Sequence, residues 1–277
     1  MTNFKTSRRF FFIVILSTFI IVLTILLWLK NHDTLPKPEP TAIKNSLNHD
    51  VKSPLNISGY AFPITISEAK KLVQTENPNN GAEYINIDNS GLPIDEVNTL
   101  KRDFDNLRRL GSYSGGKMTH EFAQTTYFRW ALLKNRGLNN VLAKLNFMPI
   151  DIGALLGDDF KLIGADYSGA FNKGKFNSIF RSYKSRNGKK VEINEMYLNP
   201  ENNVRLTIYS ESINFNLLGH PATFQQLTSA DDKNIFDLDF NVNKRAFSIS
   251  SEGLSYDEFL QLAVKIAKVA KKNSFKP

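Results

Sequence analysis

The chain has no cysteine. This excludes disulfide staples, thiol nucleophiles and cysteine-ligated metal centres. An exported domain of roughly 210 residues buries enough surface to do without staples. Histidine is scarce as well: His32, His49, His120 and His220 are the full set. No two of them are spaced as ligands on one element, and His120-Glu121 lacks the second histidine of a zinc-protease helix. Each is expected to be a satisfied or surface histidine. A strong charge of one sign is also missing. The formal charge is +8, but Lys5, Arg8, Arg9 and Lys30 stand in the first thirty residues with no acid, which leaves +4 for the rest. That excess is too small to form a nucleic-acid-binding surface, so no nucleic-acid partner is expected.

Against these absences stands one long apolar run. Phe10–Leu29 reads FFFIVILSTFIIVLTILLWL, twenty residues without a charge. At about 1.5 Å per residue such a helix spans the ~30 Å hydrocarbon core of a bilayer. Lys5, Arg8 and Arg9 precede the run, whereas Asp33 and Glu39 offset Lys37 after it. Positive charge stays in the cytoplasm, so these three residues set an N-in topology with the remainder outside. The run is longer than a signal-peptide core and ends in Leu-Leu-Trp-Leu-Lys without a small-residue cleavage site. The sequence therefore predicts an uncleaved signal anchor in the bacterial cytoplasmic (inner) membrane, with Trp28 at the interface and the globular part periplasmic or otherwise extracytoplasmic.

The expected organisation has five parts: a cytoplasmic tail over 1–9, the anchor over 10–29, a Pro-rich linker over 30–60, a mainly helical extracytoplasmic subdomain over 61–158, and an antiparallel sheet plus C-terminal helix over 159–277. The fold class is α+β: an N-terminal transmembrane helix, a helical subdomain, then an antiparallel sheet packed against the C-terminal helix. In the helical part, Thr65 or Ser67 caps a short helix over 68–74. Pro93 opens a longer one with apolar Ile94, Val97, Leu100, Phe104 and Leu107, ended by Gly111. Further helices are predicted over 119–135 and 138–145. The cluster Phe122, Tyr127, Phe128 and Trp130 is a candidate partner surface.

The second half changes period. Asn187-Gly188 between 176–183 and 191–198 is a hairpin signal. Val204–Tyr209 alternates and is expected as the third strand of a meander. Asn234–Val242 and Arg245–Ser250 alternate around an Asn243-Lys244 turn. Ser255-x-x-Glu258 is a capping box, with Leu254 placed to staple onto Phe259, and the helix it opens runs to about Lys272. Its lysines Lys265, Lys268, Lys271 and Lys272 form a solvated face.

Catalytic signatures are weak. Gly111 to Lys117 has the spacing of a phosphate loop, but Met118 replaces the Mg²⁺-binding Ser/Thr and a helix precedes it. Neither Ser112 nor Ser114 is flanked by glycines as a nucleophile elbow requires. Asp237-Leu238-Asp239-Phe240-Asn241 begins like a calcium loop, yet Val242 and Ser248 stand where glycine and glutamate belong. On a strand these polar residues share one face, expected to be solvent-facing, opposite Phe236, Leu238, Phe240 and Val242. No catalytic residue, cofactor or metal is assigned. A hydrolase of an envelope polymer would need converging acids, for example Asp151, Asp158 or Asp159 with Glu192 or Glu195.

The stretch from about Leu218 to Lys268 resembles a bacterial family of uncharacterised C-terminal domains in membrane-anchored extracytoplasmic proteins. The matching residues are Gly219, Ala222 and Phe224, the following strand pair, and Leu254-Ser255 through Glu258-Phe259-Leu260 to Leu262-Ala263. Leu238 or Phe240 stands where the family has a Trp. The resemblance implies a sheet packed on a helix outside the membrane, and no activity. There is a looser likeness to envelope immunity proteins that neutralise toxins of rival bacteria. The functional expectation is a membrane-anchored, non-enzymatic binding protein that captures a protein ligand, with an envelope assembly factor as the alternative.

Overall fold

Asn243 and Lys244 sit at φ +51° and +60°, the left-handed pair that closes a two-residue hairpin with the right twist. They join two nine- and eight-residue strands, β9 (Asn234–Val242) and β10 (Arg245–Glu252), at the centre of the fold. The computed structural model describes residues 59–114, 136–199, 204–229 and 231–272. Around the central pair lie β1 (Ala61–Pro63), β3 (Phe160–Asn172), β4 (Lys175–Ser185), β5 (Lys190–Tyr197), β7 (Phe215–Leu217) and β8 (His220–Thr228). They make one eight-stranded sheet in the order β1-β7-β8-β9-β10-β5-β4-β3, with antiparallel pairing throughout.

Helices α1 (Ile66–Thr75), α2 (Ile94–Leu110), α3 (Leu138–Leu142), α4 (Ile152–Leu156) and α5 (Tyr256–Lys272) complete the described elements with a small parallel pair, β2 (Ala82–Ile85) and β6 (Leu206–Tyr209). Local chemistry explains their ends. Thr65 and Glu68 form a reciprocal capping box at α1, and Ser255 and Glu258 do the same at α5, with Ser255 N–H donating to Glu258 Oε2 at 2.8 Å. Gly111 ends α2 at φ +80°.

The two sheet faces differ sharply. One face packs Phe236, Leu238, Phe240, Phe247, Ile249, Val191 and Ile193 against Phe259, Ala263, Ile266 and Ala270 of α5. Leu254 and Phe259 both join this core, as the staple requires. Further along the same sheet, α3 packs on β3 through Val141, Ala165 and Ile179. The second face is polar and carries α2 and the β2–β6 pair, whose own small core is Ile87, Val97 and Phe104 with Tyr113 and Tyr209. Arg108 of α2 donates to the carbonyls of Glu211 and Ile213, and Glu211 accepts from Ile87 N–H. These bonds fix the second layer over the polar face.

The expected fold class is corrected in three places. Among the described residues no helix is long and apolar enough to cross a membrane; residues 10–29, with Lys5, Arg8 and Arg9, lie outside them. Residues 61–158 are not a separate helical subdomain, because β1 is an edge strand of the main sheet on β7 and β2 pairs with β6. Leu206–Tyr209 is not the third strand of a meander: it pairs in parallel with Ala82–Ile85, and the partner that β5 actually takes is β10. The physical reason is common to the last two. Three- and four-residue strands gain their stability from distant partners, so local pattern does not reveal them. The helix expected over 119–135 lies outside the described residues.

Candidate functional site

The alternation along β9 puts Asp237, Asp239 and Asn241 on the face opposite Phe236, Leu238 and Phe240. Their cross-strand neighbours are polar too. Asp237 pairs with Ser250 on β10 and Gln225 on β8, and the row continues through Glu192 on β5 to Ser182 on β4. The next row is Asn194, Ser248, Asp239 and Thr223. Two polar rows therefore cross the middle of the sheet. Most of their members are buried: Glu192 is 3 % exposed, Gln225 6 % and Asp237 8 %, and Asn241 beside them is 2 % exposed. The solvent-facing role is thus corrected for Asp237 and Asn241, which the layer of α2, β6 and the loop after α2 encloses, whereas Asp239 between them keeps exposed surface as expected.

Between the polar face and that layer lies a cavity of about 590 Å³. Asn194, Ser248, Asp239, Asn241 and Thr223 form its floor. Asp103 and Phe104 of α2, Tyr113, and β6 with Tyr209 form its walls. Tyr113 is held by its backbone N–H, which donates to Gln225 Oε1 at 3.2 Å, while Gly111 C=O accepts from Gln226 N–H at 2.8 Å. The described part of the stretch with phosphate-loop spacing, 111–114, is thus a helix-ending turn that delivers a tyrosine to the cavity. Residues 115–117 lie outside the described residues.

Burial pushes the Asp237 carboxyl up to about 8, and the neighbouring Asp239 charge adds to the shift; hydrogen bonds from Ser250 Oγ at 2.7 Å and Gln225 Nε2 at 3.3 Å pull the other way. Asp239 is also raised by its enclosure, opposed by Ser248. Protein surrounds Asp239 on the floor, yet its side chain opens into the cavity and keeps solvent-exposed surface; cavity water therefore softens that rise. Burial, then the charges of Asp239, Asp237 and Asp103, push the Tyr113 hydroxyl above its ordinary range. Asp103 is raised by burial, partly offset by Arg102. The Asn241 amide lies beside the buried Tyr84 hydroxyl, which burial pushes up to about 12.

The acids named from sequence do not converge. Asp151 caps α4 by accepting from Ala154 N–H at 3.1 Å, and Asp158 and Asp159 are exposed, the latter 4.0 Å from Arg186. Glu192 and Glu195 occupy opposite faces of β5. Glu195 lies on the helix side, where it accepts from Arg181 Nη2 at 2.6 Å, from Arg245 Nη1, and from Ile150 N–H. His220 faces Glu76, with Nδ1 3.4 Å from Oε2, and neither ring nitrogen makes a hydrogen bond, so it is neither a surface nor a satisfied histidine. Among the described residues no three His, Cys, Asp or Glu side chains come together as a metal-ligand set. Phe122, Tyr127, Phe128 and Trp130 lie outside the described residues.

Sequence reasoning placed Asp237, Asp239 and Asn241 on one face but missed Asp103, Tyr113 and the flanking Ser248 and Ser250 as their neighbours. The polar alternation of Arg245–Ser250, in phase with that of β9 across a two-residue turn, was the one local signal available. No family profile matches the chain, and comparison with curated proteins and with solved structures finds no match.

Proposed function

We propose that the protein is a non-catalytic binding protein of the extracytoplasmic face of the bacterial cytoplasmic membrane, held there by the apolar run Phe10–Leu29, which captures a protein ligand. The localisation rests on that run and its basic flank, Lys5, Arg8 and Arg9. The binding reading rests on one observation: the polar rows of the sheet end in a walled cavity whose floor groups are fixed by their neighbours. Ser250 and Gln225 hold Asp237, Ser248 faces Asp239, and Ser178 donates to Asn194 at 2.8 Å. A rigid, partly apolar recess with a few fixed polar groups is the usual form of a binding site.

The test is a crosslinked pull-down of the full-length tagged protein from its native membrane, run beside Thr207→Trp, which enlarges an exposed residue of the cavity lining. A partner retained by the wild type and lost by Thr207→Trp supports the reading. Absence of any partner overturns it.

A carboxylate-dependent hydrolase of an envelope polymer is the second reading, favoured by the raised carboxyls of Asp239, which lines the cavity, and of Asp237 beside it. Geometry argues against it. Asp237 and Asp239 project in the same direction from one strand, roughly 7 Å apart along it, whereas hydrolytic acids flank the scissile bond from opposite sides. Asp237 also lies beneath Gln225 and Ser250. Turnover of polymer lost in Asp239→Asn would reverse this preference.

A further inference from the structure

We infer that the C-terminal half of α5 docks on anionic phospholipid headgroups through Lys265, Lys268, Lys271 and Lys272, which turns the cavity away from the bilayer. This deepens the proposed function; it rests on the membrane placement in that reading and not on protein capture.

The four lysines recur at i, i+3, i+6 and i+7, so they form one stripe along the helix. Phe259, Ala263, Ile266 and Ala270 are buried against the sheet on the other side. All four lysines are exposed, and among the described residues none of them makes an ion pair. From Phe259 to Lys272 the helix carries no acid. The lysines around its N-terminal end are engaged instead: Lys189 with Glu258 at 2.7 Å, and Lys190 and Lys233 with Glu252 at 3.2 and 3.7 Å. Cations in a last turn complement the helix dipole, which accounts for Lys271 and Lys272. It does not account for Lys265, about two turns earlier.

Tyr60 supplies the second observation. It is 48 % exposed, and Lys268 Nζ stands 4.6 Å from its ring centroid. Its carbonyl accepts from Leu218 N–H at 2.6 Å, which fixes the place where the chain enters the sheet. Residues 30–58 connect the apolar run Phe10–Leu29 to this point. The tether therefore joins the fold beside the unpaired lysines. Tyrosine rings settle at headgroup depth, and each lysine near an anionic surface adds to the attraction.

Charge complementarity selects the partner, because ammonium groups with no carboxylate beside them match a surface of phosphates. The direction of the stripe gives docking a consequence. The cavity lies on the face of the sheet opposite α5, so a domain seated on these lysines presents its cavity to solvent.

The experiment uses the full-length chain in nanodiscs of phosphatidylcholine alone, or of equal parts phosphatidylcholine and phosphatidylglycerol. Reductive methylation read by mass spectrometry reports the accessibility of each lysine. Lys161 and Lys184 are the controls: exposed, without an ion pair, and paired with each other across β3 and β4 on the face opposite α5. Methylation of Lys268 should be slower by about fivefold or more in the anionic discs, with the controls unchanged. High salt should remove the difference. Lys265→Gln, Lys271→Gln and Lys272→Gln combined, with Lys268 kept as reporter, should lose the protection, since each lysine at the surface is worth about fivefold. The matching triple Arg variant keeps the charge and should retain it. Equal methylation of Lys268 in both discs, equal slowing at Lys161 and Lys184, or protection that survives the three glutamines overturns the inference.

The outcomes also separate docking from the reading it rests on. A partner captured by a chain whose Lys268 reacts equally in both discs leaves capture standing and overturns docking. Protection with no partner recovered keeps docking and overturns capture. A chain that enters discs of neither lipid overturns the membrane placement, and docking with it. Protection that appears in neutral discs once the captured partner is added assigns the stripe to that partner and overturns lipid docking.

Discussion

Ser250 donates its hydroxyl to Oδ1 of Asp237 at 2.7 Å across the two central strands, and this bond is what makes a buried carboxyl tolerable in the middle of a sheet. Gln225 reaches the second oxygen from the other side. Burial nevertheless outweighs the two donors and favours the protonated carboxyl.

The pH dependence of stability follows. In the unfolded chain Asp237 titrates near ~3.9; in the folded one it is pushed up to about 8. Between those values the folded protein holds a proton that the unfolded chain has released. Stability is therefore highest at the acid end of this window, falls as pH rises, and levels off above about 8. Asp239, raised as well, adds to the slope. The ceiling is about 1.4 kcal/mol for each pH unit of separation. Urea midpoints at pH 5 and pH 8.5 should differ by less in Asp237→Asn, and that variant should exceed the wild type at the higher pH. An unchanged slope would show that Asp237 is ionised in the fold.

Gly169 lies in the bulged part of β3 at φ +83°, and a Cβ there would meet Asn177 Oδ1 at 2.2 Å. Asn177 cannot swing away cheaply, since it accepts from Ala170 N–H at 2.5 Å and donates to Tyr197 C=O at 2.9 Å. Gly169→Ala should cost about 1–3 kcal/mol by chemical denaturation. The double variant with Asn177→Ala should be less than additive, because one side of the clash is gone while the backbone strain stays. Strict additivity would mean that the two residues do not meet.

These two sites also mark where the sequence is legible. Turns and caps are written in adjacent residues, so Asn187-Gly188, Asn243-Lys244, Thr65, Gly111 and Ser255-x-x-Glu258 are all found where local chemistry puts them. Strand β3 is not, because its ladder shifts register at Leu162/Gly164 and Ser168/Phe171 and so loses its period of two. The short strands β1 and β2 depend on partners far along the chain, and β6, expected as a strand, takes the distant β2 as its neighbour. At the site, the shared face of Asp237, Asp239 and Asn241 follows from alternation. The burial of Asp237 and Asn241 does not, for it comes from β5, β8, β10 and α2 together, a property of register and layer.

Ser255 begins α5, the helix that covers the apolar face of the sheet. Its hydroxyl accepts from Glu258 N–H at 3.2 Å, and Glu258 returns to Ser255 N–H and to Lys189 Nζ at 2.7 Å. Ser255→Ala leaves one first-turn N–H without its partner and should cost about 1 kcal/mol, whereas Ser255→Asp should restore most of it. Thermal unfolding followed by far-UV circular dichroism checks both. A neutral Ser255→Ala would mean that packing alone sets the start of α5.

Glu195 is the most consequential buried charge. Its side chain is fully buried between Arg181 and Arg245, at 3 % and 4 % side-chain exposure, and these donors also clasp the carbonyls of Ile150 and Met148. Two guanidiniums share one carboxylate, so the three substitutions that keep side-chain volume are not equivalent. Glu195→Gln leaves two buried cations without a counter-charge and should cost about 3–5 kcal/mol. Arg245→Met or Arg181→Met leaves one balanced pair, with the lost carbonyl bond as the main penalty, and should cost clearly less. Urea unfolding of the three variants decides the order. If Arg245→Met proves as damaging as Glu195→Gln, the cluster is held by its clasp on residues 148–150 and charge compensation is secondary. If the expected order holds, the net positive charge of the cluster is a tolerated excess, held by the one carboxylate that both guanidiniums share.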